Sequence, residues 1–492
     1  MNKKLFTKIS ALLLSGSILL SFASCKGKDN NEMEKINDAN NNYNAAPVYQ
    51  AEENNAISFK VLGGEEVMPI GVFYGPYGLS NASSVSENGV VTPDYLTDEI
   101  FTLLKDSGVN YISHSQDQWN TSRDNVRKAL SFCEKYGIGY FVGDGRLAYT
   151  ETAELMTERI KDYIDLPNVL GVNLRDEPTL ADAEQYKKAV AAFYESVGDK
   201  EKYAYVNLLP SYSSTSSLGG THYNYMSTFI NDVNLPFISY DNYPFTFKDQ
   251  GTTSAIPSNY FNDLSTARKV AQENHKPFWV FIQAGGQWES MIGVASDPLF
   301  PNEGETLWNV NTSLAYGATS IQYFPFLQPV QFSDAGEDGK DYTRNGMIGV
   351  AGNVNRWYYY VQKANKQIAA IDHILMKSVN KGVIATGYWK DRMIVEDKPD
   401  ANSDYWRELK DVSSNGQTGV IIGCFDYNYT SDKSHSAFYI VNGSATEKQT
   451  ITLTFDNKYG FDLIQRTETF GVAGKTIKIT LEGGEGVMLA LR

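Results

Sequence analysis

The chain is poor in cysteine and in positive charge, and both shortages narrow what it does. Only three cysteines occur in 492 residues, at Cys25, Cys133 and Cys424. They lie too far apart for a disulfide framework or a metal-ligand spacing, and the apolar surroundings of Cys133 and Cys424 read as core. The formal net charge is -15, so no basic face is available to release the counterions of a nucleic acid, and nucleic acid is not an expected partner. Beyond the N-terminus no apolar run reaches the length of a membrane span. No Gly-x-Gly-x-x-Gly follows the first strand-like run, no Gly-x-Ser-x-Gly marks a serine hydrolase, and no His/Asp/Glu spacing suggests a catalytic zinc. Neither a cofactor nor a metal is expected.

What is present is apolar and aromatic: 42% hydrophobic residues, with 32 Tyr and 24 Phe, suffice for a large core and a second module. Aromatics in such number suit ordinary β-rich cores and also sugar-stacking surfaces. At the N-terminus, Lys3, Lys4 and Lys8 precede the apolar run Ile9 to Phe22, and Ala23 and Ser24 lead into Cys25, the order of an export signal. The segment Leu20-Ser-Phe-Ala-Ser-Cys25 resembles a bacterial lipobox, which implies a lipid anchor on Cys25 and attachment to a membrane of the cell envelope. Lys28-Asp29 and Glu32-Met-Glu34 resemble the charged export tags of surface lipoproteins in Bacteroidota, which implies the outer membrane and its exposed face. Residues 1–25 are thus expected as signal peptide and 26–55 as a disordered polar tether, too poor in apolar residues to pack.

From about residue 66, short β-branched runs alternate with longer amphipathic stretches, the pattern of parallel strands joined by crossover helices. Eight strand candidates follow: Met68 to Tyr74, Tyr111 to His114, Gly139 to Val142, Val169 to Leu174, Tyr203 to Leu208, Phe237 to Tyr240, Phe278 to Ile282 and Ser320 to Phe324. Helices Tyr95 to Lys105, Arg123 to Tyr136, Ala181 to Val197 and Arg356 to Ile374 fit between or after them, the first three followed by glycine stops. Eight such units over residues 56–378 predict an α/β fold, a (β/α)8 TIM barrel. Beyond about 378 the helical period stops. Val383 to Trp389, Gly419 to Phe425, Ala437 to Val441, Gln449 to Phe455, Lys475 to Leu481 and Gly486 to Leu491 read as strands of a small C-terminal antiparallel β-sandwich over 379–492. With no long flexible linker at the join, that module is expected to pack against the barrel.

In this barrel the site forms where the strands end. The fourth strand ends in Arg175-Asp176-Glu177-Pro178, a carboxylate pair beside a cation, suited to general acid/base work; the same tripeptide is also a good helix start. Asp-Glu-Pro after strand four resembles the Asn/Asp-Glu motif of the retaining (β/α)8 glycoside hydrolases. The resemblance spans about residues 60 to 375 at the level of strand order. It implies a carbohydrate substrate, Glu177 as acid/base and Asp176 as partner of a sugar hydroxyl. Tyr240, Asp241 and Tyr243 on strand six and Tyr323 on strand eight occupy places where similar barrels hold sugars, and Tyr74, His114, Asp144 and Asn207 end strands one, two, three and five.

Strand seven departs from that pattern. It ends in Gln283, an amide where the resemblance implies a nucleophilic Glu, followed by Ala-Gly-Gly-Gln-Trp288-Glu289. The second carboxylate is expected from Asp241 or from Glu289, with Asp241 preferred, while Glu305 reads as a first-turn helix residue. The missing carboxylate favours an inverting reaction with water between the pair. Gln283 and Trp288 then serve as substrate contacts. A different class of function also fits, a surface glycan-binding lipoprotein on a barrel that has lost its nucleophile.

Overall fold

The computed structural model describes residues 34–35, 42–79, 93–245, 258–285, 301–327, 346–349 and 351–492. Two short strands, β1 (Glu34–Lys35) and β2 (Tyr49–Gln50), precede the barrel strands β3 (Ile70–Val72), β4 (Tyr111–Ile112), β5 (Gly139–Gly143), β6 (Val169–Asp176), β7 (Tyr203–Asn207), β8 (Ile238–Asp241), β9 (Phe278–Gln283) and β10 (Ser320–Phe324). The last eight pair in parallel in the order β7-β6-β5-β4-β3-β10-β9-β8. A parallel bridge from Leu208 to Tyr240 joins the two ends of that order, so the sheet closes into a barrel.

The crossovers are helical: α1 (Asp98–Asp106), α2 (Arg123–Tyr136), α3 (Ala153–Ile160), α4 (Ala183–Val197), α5 (Thr215–Leu218), α6 (His222–Asn231), α7 (Ser258–Glu273), α8 (Glu303–Ala315) and, after β10, α9 (Arg356–Leu375). Their limits have local causes. The Thr97 side chain accepts from Ile100 N to start α1, and α2 stops at Gly137, whose φ of +63° is a left-handed turn. Glu305 and Asn302 exchange side-chain-to-backbone hydrogen bonds of 2.9 Å at the start of α8, the capping role expected of Glu305. The barrel interior is an aromatic stack of Phe73, Tyr111, Phe141, Tyr205, Trp279 and Phe281. Phe59 packs edge-on against Phe141, Tyr203 and Trp279 and closes the end opposite the site.

The C-terminal strands are β11 (Ser378–Ala385), β12 (Leu409–Ser414), β13 (Val420–Asn428), β14 (Lys433–Asn442), β15 (Gln449–Gln465), β16 (Glu468–Leu481) and β17 (Gly486–Leu491), all antiparallel. Strand β15 breaks register between Thr454 and Tyr459, pairing with β12 before the break and with β17 after it. One long strand therefore serves both layers of the sandwich, around Ile422, Phe438, Leu453, Phe455, Ile477 and Leu489. Strand β12 escapes a sequence reading because only Leu409 and Val412 of its six residues are buried.

The module is fixed to the barrel as expected from the missing linker. Trp389 stacks near Phe261 and Trp308 at 5.3 and 5.4 Å, Asn311 Nδ2 donates to Gly484 O at 2.8 Å, and buried Arg268 pairs with Asp397. The tether needs correction over residues 42–55. Strand β2 pairs with β14, Tyr49 OH donates to Glu408 at 2.6 Å, Asn44 Nδ2 donates to Lys458 O and Asn54 Nδ2 donates to Met376 O. Hydrogen bonds and the Arg407 guanidinium over the Tyr49 ring hold this segment, so its shortage of apolar residues does not free it. Cys133 and Cys424 are buried free thiols. Cys25 lies outside the described residues. Among the described residues no helix is long and apolar enough to cross a membrane.

Candidate active site

Strand β6 runs two residues further than its apolar pattern, to Asp176. Its register against β7 slips by one between Asn173 and Arg175, which sets Asp176 opposite Asn207 and leaves Arg175 exposed. Glu177 N then donates to Asn207 O at 2.9 Å. Glu177 has φ of +50° and Tyr74 of +52°, a left-handed backbone that costs a residue with a side chain on the order of 1 kcal/mol or more and concentrates at functional sites. Both residues line the same cavity.

That cavity, of about 110 Å³, is bounded by Phe73, Tyr74, Asp176, Glu177, Asn207, Asp241, Tyr243, Phe281 and Phe324. It has two unlike sides. Strands β6, β7 and β8 bring the two acids, Asn207 and Asp241. Across from them, Phe73, Phe281, Phe324, Tyr74 and Tyr243 form an aromatic wall, with Phe324 5.6 Å from Tyr243 and 5.7 Å from both Phe73 and Tyr74. A polar edge facing an aromatic face is what a sugar ring presents a need for, hydroxyls on one side and C–H groups on the other.

Asn207 organises the acid side. Its amide donates one hydrogen to Asp176 at 3.2 Å and the other to Asp241 at 2.9 Å, while its oxygen accepts from Ser239 at 3.0 Å. Ser239 is in turn braced by Gln322 and Tyr205, themselves bonded at 2.7 Å. Burial, less the Asn207 hydrogen bond and the Arg175 charge, pushes Asp176 up to about 6. Burial and the neighbouring Asp176 push Glu177 up to about 7, offset by a hydrogen-bonding approach of Asp241. Asp241, buried, is raised well above the usual carboxylate range by burial, then by Glu177 and Asp176. Asp176 and Glu177 keep contact with solvent at the cavity mouth, but three carboxyls around one small space do not all ionise freely near neutral pH.

The folded chain holds these protons more tightly than the unfolded chain, so stability falls as pH rises from about 4.5 through about 7. Glu177→Gln is accordingly expected to melt at a higher temperature than the parent at pH 8 and at the same temperature at pH 4. Paired thermal melts check this; a pH-independent difference contradicts it.

The structure thus brings together Glu177, Asp176, Asp241, Asn207, Tyr74 and Tyr243 among the residues singled out from sequence. Others are corrected. Tyr323 alternates outward on β10 and donates to Asn365 of α9 at 2.7 Å, leaving Phe324 to face the cavity. Tyr240 is fully buried outside the barrel, its surroundings including Asp263, Tyr260 and Tyr316. The Asp144 carboxylate is enclosed and held by Arg146. His114 stacks on Phe73 at 4.2 Å and meets Tyr74 edge-on at 5.5 Å without lining the cavity itself, and burial lowers it to about 4, which keeps it neutral. Gln283 is buried, donates to Gly285 O at 3.4 Å and does not line the cavity. Trp288 and Glu289 lie outside the described residues. Phe73 and Phe281 line the cavity without being singled out by the sequence, and Phe324, one of the strand-eight aromatics, lines it in place of Tyr323. Among the described residues no cluster of His, Cys, Asp and Glu is arranged to hold a metal ion.

Glu177 and Asp241 line the same cavity, and the anomer of the first-formed product separates direct attack by Asp241, which gives retention, from attack by an intervening water, which gives inversion.

No family model matches the chain, and no curated protein matches its sequence. Solved structures similar in chain path include glycoside hydrolases. A β-galactosidase from the haloarchaeon Halorubrum lacusprofundi is 13% identical with a TM-score of 0.42, the match covering 62% of this chain and 58% of that one. A β-galactosidase from Marinomonas ef1 is 10% identical with a TM-score of 0.43, covering 64% and 63%. A β-glucuronidase from Ruminococcus gnavus is 12% identical with a TM-score of 0.39, covering 61% and 49%. The chain matches less than two thirds of the length of each, and the chemistry rests on the cavity alone.

Proposed function

We propose that the chain is a glycoside hydrolase of the cell envelope, with Glu177 as proton donor to the glycosidic oxygen and Asp241 as its partner. The observation that carries this reading is the meeting of Asp176, Glu177 and Asp241 in one cavity opposite an aromatic wall. Glu177, raised to about 7, holds a proton at neutral pH and gives it to the leaving oxygen as the bond to the anomeric carbon breaks. In the reactive protonation state of the coupled pair, Glu177 carries the proton and Asp241 is ionised; Asp241 then attacks that carbon, and water later releases the sugar with Glu177 taking the water's proton. Asp176 and Asn207 bind ring hydroxyls. The location rests on the signal-like residues before Cys25, whose lipidation anchors the protein on the outer membrane, facing outward.

Gln283 supports one other reading, a glycan-binding lipoprotein without turnover, since no carboxylate ends β9. A panel of cello-, xylo-, manno- and laminarihexaose, with N-acetylated and uronic-acid-bearing members, assayed for binding and for reducing-end release, separates the two. Release by the parent protein is the expected result. Binding with no release favours the binder, and neither binding nor release rejects both.

A further inference from the structure

Glu177 sits in a left-handed backbone, φ +50°, which a residue with a side chain keeps only where its neighbours over-determine it. Two hydrogen bonds flank it. On one side Glu177 N donates to Asn207 O at 2.9 Å. On the other, the carbonyl of Pro178, the next residue, accepts from Tyr225 OH at 2.6 Å in the protein interior. The same hydroxyl accepts from Leu209 N at 3.2 Å, so one phenol oxygen joins the segment after β6 to the segment after β7. Tyr225 is fully buried and does not border the cavity; it reaches Glu177 through the backbone alone.

Helix α6 makes that oxygen a fixed point. Thr221 caps the helix, accepting from Asn224 N at 3.2 Å, and His222 and Tyr225, three residues apart, lie on one face of it. His222 Nε2 donates to Leu209 O at 2.9 Å, so this face holds Leu209 at both its N–H and its carbonyl. The Asp263 carboxylate of α7 lies 3.3 Å from His222 Nδ1 and accepts from Ser211 N at 3.1 Å and from Asn242 Nδ2 at 2.8 Å. Leu208 N donates to Ser239 O at 2.7 Å, which ties the start of the segment to β8. Each support of Tyr225 is itself bonded, so the hydroxyl does not follow Pro178 when the strained turn moves.

We infer that Tyr225 is a positioning residue for Glu177: its hydroxyl holds Pro178 O and so keeps Glu177 in the left-handed turn from which its side chain lines the cavity. This rests on the reading of Glu177 as proton donor. Deleting the hydroxyl leaves Pro178 O and Leu209 N buried and unpaired, and a turn that moves toward an ordinary φ relieves both that cost and its own strain. A proton donor displaced by about 1 Å loses up to about 10²-fold in rate, because the chemical step depends on alignment far more than binding does.

The test uses the full chain and the hexaose that the parent cleaves. Tyr225→Phe is expected to lower kcat on it about thirtyfold with KM within about twofold, and to lower kcat on the dinitrophenyl glycoside of the same sugar no more than about threefold, since that leaving group departs with little help from an acid. Tyr439→Phe, which deletes a buried hydroxyl bonded to Asn311 at 2.7 Å where the sandwich meets α8, is expected to melt lower than the parent with both rates intact. If Tyr225→Phe behaves as Tyr439→Phe does, or loses equally on the two substrates, the positioning role is rejected and the glycosidase reading stands. If Tyr225→Phe does not fold, His222→Gln and His222→Leu take its place: the Gln amide still reaches Leu209 O and is expected to keep kcat, His222→Leu to lose it with KM little changed, and equal kcat in the two rejects the role. A parent that cleaves no hexaose removes the glycosidase reading and this inference with it.

Discussion

Glu177→Gln is expected to lower glycan hydrolysis by about 10³-fold while the protein stays folded and still binds its ligand. The magnitude is that of removing a positioned general acid, within the usual range of about 10² to 10⁴. Two signatures separate loss of a proton donor from general damage. The parent rate falls as pH rises through about 7, because Glu177 then gives up the proton it must deliver, and this limb is absent from the variant. An activated aryl glycoside, whose leaving group needs little protonation, loses far less than a natural sugar. Equal losses on both substrates contradict the assignment. The left-handed backbone at Glu177 is unchanged by an isosteric amide, so the comparison is clean.

Asp241→Asn is expected to lower kcat by about 10³-fold or more with KM changed severalfold at most, since the group acts on the anomeric carbon in the chemical step. The amide oxygen of the variant still accepts from Asn207, 2.9 Å away in the parent, which preserves the bracing of the acid side. Product stereochemistry is an independent check: a retained anomer in the first-formed sugar, followed by NMR, accords with attack by Asp241. Near-full activity in Asp241→Asn, with loss in Glu289→Gln, transfers the role to Glu289.

The barrel was legible in sequence because eight β-branched runs alternate with helices that carry their own stop signals, such as Gly137. The facing of side chains was not. A strand of a parallel barrel is buried on both sides, so no alternation of polar and apolar residues tells inward from outward. That is why the sequence alone points to Tyr323 and Tyr240 at the cavity, which Phe281 and Phe324 line in the fold. On β6 the parity is further altered by the register slip before Arg175, yet Asp176 and Glu177 were found, because adjacent carboxylates at a strand end are conspicuous on either face. Asp144 shows the converse: an acid at a strand end that Arg146, two residues on, neutralises structurally. Residues 42–55 misled because composition predicts hydrophobic packing and is silent about the backbone pairing that fixes β2 to β14.

The most direct measurement of the central claim follows reducing-end release and ligand binding side by side, for the parent and for Glu177→Gln, with whichever hexaose the parent binds. The predicted result is release by the parent, about 10³-fold less by the variant, and dissociation constants for the two that agree within severalfold. A variant that releases sugar at the parent rate, or a parent that binds the hexaose and releases nothing, contradicts the role given to Glu177.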